Sequence, residues 1–223
     1  SGKVEEKFTP GSALKVARAP RCIPCKAGLW SSVAGILNAT CTLCEPGRFS
    51  TQFGANSGET CQVCPAGFMS TADQEPDAAL TFCTACVAGK FQSSVSASKC
   101  DSCPTGWSTN VIGSRVCSKC QAGYYSRESS STICLPCIPG MYQSETAKQN
   151  CTNCELGEYR GGADDATTCL KCLRGFKSPT KGSGSCLPCI PGEYQNEEGK
   201  PSCKPCAENK KSEYPSSMKC DAC

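Results

Sequence analysis

Every one of the 24 cysteines in this 223-residue chain falls in a C-x-x-C pair. The pairs begin at residues 22, 41, 61, 83, 100, 117, 134, 151, 169, 186, 203 and 220. From Cys83 onward the step is 17 residues, with a single step of 18. A period held that tightly means an array of one small unit.

The cysteine share sets the class. Hydrophobic residues make up 39% of the chain, but that figure includes the cysteines. The rest is thin, with few aromatics, and is too little for a contiguous core at this length. A chain this rich in cysteine is a disulfide scaffold, and such scaffolds persist in oxidising compartments. The expectation is an extracellular or cell-surface location. The fold class expected is small disulfide-rich repeats: an elongated ladder of short β-hairpins and turns, with little or no helix and no globular core.

Three regions follow from the spacing. Residues 1–21 form a basic arm, where Lys3, Lys7, Lys15, Arg18 and Arg21 face only Glu5 and Glu6. Residues 22–82 are three irregular repeats with longer spacings. Residues 83–223 are the regular repeats. The formal net charge of +3 resides in the arm, and the repeats are balanced. They show no electrostatic basis for binding nucleic acid or an anionic membrane. No hydrophobic run is long enough to span a bilayer. The chain starts at Ser1 with no leader, and reads as a mature or excised piece of something longer.

Each unit repeats one frame, C-x-x-C-x-x-G-x-aromatic. The glycines are Gly28, Gly47, Gly67, Gly89, Gly106, Gly123, Gly140, Gly157, Gly175 and Gly192, and Asn209 holds the eleventh place. Asn most nearly shares glycine's tolerance of positive φ, so the position predicts a left-handed backbone. Pro46-Gly47, Pro139-Gly140 and Pro191-Gly192 fit type II turns. The aromatics are Trp30, Phe49, Phe68, Phe91, Trp107, Tyr125, Tyr142, Tyr159, Phe176 and Tyr194. One ring per unit can pack on a disulfide or the next turn. Lys210-Lys211 replaces the ring in the eleventh unit, so packing should loosen there.

Equivalent cysteines should bond equivalently, and three simple schemes do so: within each pair, from the first of one pair to the second of the next, or from the second of one pair to the first of the next. The favoured one joins the second cysteine of each pair to the first of the next. It pairs Cys25 with Cys41, Cys44 with Cys61, Cys64 with Cys83, Cys86 with Cys100, Cys103 with Cys117, and Cys120 with Cys134. It continues with Cys137 to Cys151, Cys154 to Cys169, Cys172 to Cys186, Cys189 to Cys203, and Cys206 to Cys220. Each bond closes a segment holding the turn, the aromatic and the polar loop, and a loop of that size is worth about 3 kcal/mol. Cys22 and Cys223 are then left to partners outside the ladder. An alternating scheme over two-unit blocks would use all cysteines internally, but the spacing shows no two-unit period.

Rival chemistry fits less well. Paired C-x-x-C motifs also suit zinc, but the chain has no His. The sequons Asn38-Ala-Thr40 and Asn150-Cys-Thr152 point to secretion and glycosylation. Without an imidazole base, nucleotide loop or nucleophile motif, no catalytic residue, metal site or cofactor is expected.

The frame, as in Cys120-Gln-Ala-Gly-Tyr-Tyr and Cys189-Ile-Pro-Gly-Glu-Tyr, resembles the ephrin-receptor-like cysteine-rich repeat. It is also similar to the cysteine-rich modules of tumour-necrosis-factor receptors. The resemblance covers residues 22–223. It implies an elongated, non-catalytic disulfide ladder, of a kind found in receptor ectodomains and in long extracellular proteins of algae and protists. The function expected is a stalk or filament building block in a larger secreted or surface protein, such as an algal or protist surface filament. Its partners would be other protein chains or further segments of the same chain. The alternative is a receptor ectodomain binding a protein ligand along the repeats. Exposed apolar clusters away from the aromatic position would favour that, and Ile36-Leu37 and Ala78-Ala79-Leu80 are the candidates.

Overall fold

The computed structural model describes residues 24–33, 41–71 and 80–223. Among them lie eleven two-stranded antiparallel hairpins, and the one helical element is a 3-10 turn at Gly58–Thr60. Each strand is two residues long. The first hairpin pairs Leu29–Trp30 with Thr42–Leu43, a middle one pairs Met141–Tyr142 with Thr152–Asn153, and the eleventh pairs Lys210–Lys211 with Asp221–Ala222.

The local cause is the turn after each C-x-x-C. In Glu45-Pro46-Gly47-Arg48 the Arg48 N–H donates to the Glu45 carbonyl, and Gly47 takes φ +86°. That is a type II turn, with Pro at its second place and Gly at its third. The chain leaves the turn extended, carries the aromatic, and returns through a polar loop to the next C-x-x-C. The two residues between that pair's cysteines form the second strand. In the register, Met141 faces Asn153 and Tyr142 faces Thr152.

Two-residue strands hold few hydrogen bonds, and an isolated hairpin of this size is not stable in water. A disulfide closes each one. The eleven bonds run from Cys25–Cys41 to Cys206–Cys220, with Cα–Cα distances of 5.6–5.8 Å. The buried hydrophobic residues are mostly the sulfurs themselves, with Ala27, Ala55 and Leu80. The aromatics at the frame position, Trp30 to Tyr194, are half-buried. The widest apolar cluster is in the irregular repeats, where Leu80 packs on Cys44 and Cys61 beside Trp30 and Leu43. No described helix is long and apolar enough to cross a membrane.

Surface charges pair locally. Glu197 meets Lys204 at 2.6 Å and Lys200 at 2.9 Å. Hydrogen bonds from Lys204, then from Lys200, lower its pKa from the ordinary 4.5 to about 2. A carboxylate depressed in the folded state stabilises above its unfolded pKa and loses that contribution as the pH falls through its folded value. The window here runs from about pH 4.5 down to about 2, and solvent screens the pair. In a carbon-detected titration, Glu197 is expected to turn over near 2, and in Lys204→Ala closer to 4.5. A wild-type midpoint at 4.5 would show that the pair does not form in solution.

Candidate functional site

The structure brings together no catalytic constellation among the described residues. It brings together the joints between units. From Gly47 to Gly192, the turn-glycine N–H donates to a carbonyl of the following unit, always the residue three past that unit's own turn position. Thus Gly106 donates to Ser126, Gly123 to Gln143 and Gly140 to Arg160. The N–H of that same residue then donates to a loop carbonyl one unit further on: Gln143 to Ala166, Arg160 to Ser183, Ser178 to Lys200. In eight of the joints a loop amide of the following unit also donates back to the carbonyl of the buried second cysteine, from Cys25 to Cys189. Ala147 N–H reaches the Cys120 carbonyl, and Gly182 N–H reaches Cys154.

Units two apart also touch. A Cβ built on Gly140 would sit 2.0 Å from the carbonyl oxygen of Gly182, two units on. On Gly106 it would sit 2.1 Å from that of Ala147, and on Gly157 2.0 Å from that of Gly199. Positive φ is therefore only half of what this position demands. It must also let a backbone carbonyl rest on its Cα, in the manner of a Cα–H···O contact.

The residue three past the turn has only a loop composition in the sequence, and it is the hub of the joint. It is polar in every unit, half-buried as Ser31 in the first and buried in the rest as Ser50, Ser70, Gln92, Thr109, Ser126, Gln143, Arg160, Ser178, Gln195 and Ser212. The glutamines pin their own loops. Gln143 Nε2 donates to the Asn150 carbonyl, while its Oε1 accepts from Glu145 N–H; Gln92 and Gln195 repeat both bonds. Ser70 Oγ accepts from Gly47 N–H and donates to the Arg48 carbonyl. A tally of side chains at this frame position, all polar, was the available signal.

Arg160 is the exception that explains itself. Its unit, closed by Cys154–Cys169, has one residue more than its neighbours' 14-residue separation. No loop amide among the described residues reaches the Cys137 carbonyl. Arg160 does so instead, through Nη2 at 2.7 Å, and it also donates to the carbonyls of Met141, Gly161 and Asp164. Arg160 is 2% exposed.

The remaining predicted positions fall as follows. All ten glycines of the frame have positive φ, and so does Asn209, at 61°. The Cys189–Cys223 region is the least covered. Nothing lies within 4 Å of a Cβ built on Gly192. The second cysteines from Cys25 to Cys189 are buried, whereas Cys206 is only half-buried. Cys223 is an exposed free thiol. Cys22 and Asn38, like Ile36-Leu37, Ala78-Ala79 and the basic arm, lie outside the described residues. Asn150 is exposed, and its Oδ1 accepts from Arg127 Nε at 3.2 Å.

One expectation is corrected. Leu80 is not an exposed apolar residue available to a ligand. It is 8% exposed, because the long loop of Cys64–Cys83 folds it onto the preceding disulfide. The exposed apolar residues are elsewhere. Val111, Val116, Tyr124 and Ile133 line a shallow groove of about 480 Å³ between adjacent units.

A family model described as tyrosine-protein kinase ephrin type A/B receptor-like matches residues 76–120 and 175–223. No curated protein matches the chain.

Proposed function

We propose that the chain is a non-catalytic extracellular spacer, a disulfide-stapled stalk or filament segment of a larger secreted or surface protein; its ladder of disulfide-closed hairpins and the ephrin-receptor-like match over residues 76–120 and 175–223 support this. The observation that carries this reading is the joint. Each unit bonds to the next and abuts the one after, always in the same sense. Repetition of that kind is quasi-one-dimensional and grows in length, not in girth. The eleven disulfides support an oxidising location outside the cytosol. Asn150, exposed within its sequon, is the proposed glycan acceptor.

Small-angle scattering of the oxidised chain tests the reading. A compact chain of this length has a radius of gyration of about 17 Å. The stalk requires a value well above that, with a rod-like cross-section, and a value near 17 Å overturns it.

The Val111–Ile133 groove favours a second reading, a receptor ectodomain that takes a protein ligand across two units. Val111 and Ile133 are 58% and 59% exposed. Under that reading, Ile133→Asp abolishes ligand capture while leaving the scattering profile unchanged.

A further inference from the structure

One rung of the ladder lacks the cover that a ring gives elsewhere. In the first unit Trp30, two places past its turn glycine, packs on the Cys44–Cys61 bond of the following unit. Most later units also place a ring there, and Met69, Lys177 and Lys211 fill the place with a long side chain. The unit of Gly106 does neither. Its ring, Trp107, comes one place early, and Ser108 takes the position. Ser108 is buried, and its Oγ lies 3.3 Å from the Sγ of Cys134. That sulfur is bonded to Cys120 and carries no proton, so the hydroxyl is the donor. Among the described residues no other disulfide sulfur accepts a hydrogen bond.

The missing ring leaves a way in. Ser108 and Cys134 both line the groove of about 480 Å³ that runs between Val111 and Ile133. Cys134 is half-buried, whereas Cys120 is 1% exposed. A reagent in the groove therefore meets the Cys134 sulfur first. Among the described residues lining the groove, Lys119 alone is charged, and its Nζ stands 5.3 Å over the Trp107 ring. That ammonium favours an anionic visitor.

We propose that the Cys120–Cys134 disulfide is a thiol-exchange site whose co-reactant is an anionic small-molecule thiol of the glutathione class. The incoming thiolate attacks Cys134 Sγ, and a new S–S bond forms there. The bond from Cys134 to Cys120 breaks, and its electron pair leaves on Cys120 as a thiolate, which takes a proton from solvent. One disulfide is exchanged for another, with no net oxidation. Negative charge spreads over the three sulfurs during the transfer, and the Ser108 O–H stabilises the share on the central one. The loop between Cys120 and Cys134 is then unstapled. That loop holds the joint behind it, because Ser130 N–H donates to the Cys103 carbonyl and the Ser131 carbonyl accepts from Thr109 N–H. Exchange turns one rung of the ladder into a hinge.

The test exposes the full oxidised chain, its free thiols first blocked with iodoacetamide, to limiting reduced glutathione. New thiols are trapped with N-ethylmaleimide and mapped by mass spectrometry. The first product is expected to carry glutathione on Cys134 and maleimide on Cys120, with amide exchange quickened at Thr109 and Ser130. Ser108→Ala is expected to react about fivefold more slowly, the worth of one neutral hydrogen bond. Ser108→Tyr, which puts a ring back over the sulfur, should be slower still. Lys119→Gln should slow the reaction with glutathione and leave that with neutral mercaptoethanol unchanged. The proposal is overturned if another disulfide opens first, if all open at one rate, or if the glutathione is found on Cys120. It is equally overturned if Ser108→Ala and Ser108→Tyr both react as fast as wild type. A Lys119→Gln chain that treats the two thiols as wild type does overturns the anionic class of co-reactant, and an adduct that leaves Thr109 and Ser130 protected overturns the hinge.

Discussion

Gly140→Ala is expected to open the array at its centre, and Gly192→Ala is expected to do little. Both glycines sit at positive φ, +82° and +87°. An L-residue there costs about 1–2 kcal/mol from its own backbone alone. The two sites differ in what lies over them. At Gly140 the new methyl would stand 2.0 Å from the Gly182 carbonyl oxygen and 2.5 Å from its carbon. Those atoms are backbone, and the Gly182 amide is tied to the Cys154 carbonyl, so they cannot swing aside. At Gly192 the methyl meets nothing. The whole cost of parting two units therefore falls on Gly140→Ala, placing it among severe substitutions of about 3–5 kcal/mol, against about 1 for Gly192→Ala. Amide hydrogen exchange with disulfides intact reads both. Protection should collapse at Cys154, Gly157, Arg160 and Gly182 in the first variant and persist in the second. Equal losses in the two would mean that φ alone sets the requirement, and the contact two units away would lose its meaning.

Arg160→Ala is the second large effect. The side chain is buried and holds four carbonyls, of which Cys137 and Met141 belong to the preceding unit. Truncation leaves those acceptors buried and unpaired, at about 1–3 kcal/mol each. A loss of about 3 kcal/mol or more is expected, read as exchange at the hairpin of Met141–Tyr142 with Thr152–Asn153. Arg160→Gln should not restore it. Glutamine serves Gln143 and Gln195 because their loops are one residue shorter and deliver a backbone amide to the cysteine carbonyl. Deleting Asp165 in the Arg160→Gln chain brings the loop to that length and should recover protection. If Arg160→Gln alone is as stable as wild type, the guanidinium is not the substitute for the missing amide.

These two sites also mark where reading from sequence stops. The cysteine period, the turn glycines and the ring position recur as residue types, so they are visible in one chain, and Asn209 declares itself because its conformation is shared with glycine. The hub residue is filled by Ser, Thr, Gln or Arg, which have burial and polarity in common but no shape. Its meaning comes from a following unit whose carbonyls it meets, and composition alone reads it as loop. Arg160 is less legible still, since its role depends on a single extra residue in its loop. Leu80 misleads for the opposite reason. It looks like surplus apolar surface, and only the fold of a long loop turns it onto the Cys44–Cys61 bond.

All the joints point the same way along the chain, and that has a bearing on how the molecule is made. A unit's glycine is satisfied by the next unit and covered by the one after, never by those before it. A chain emerging amino-terminus first therefore cannot finish Gly140 until Gly182 has been synthesised. Hairpins behind that front have their cysteines available for oxidation before their joints exist to hold them in register. Correct pairing would trail the ribosome by two units, and a pause in translation within the regular repeats would leave an unfinished stretch of constant length, wherever in the array it fell.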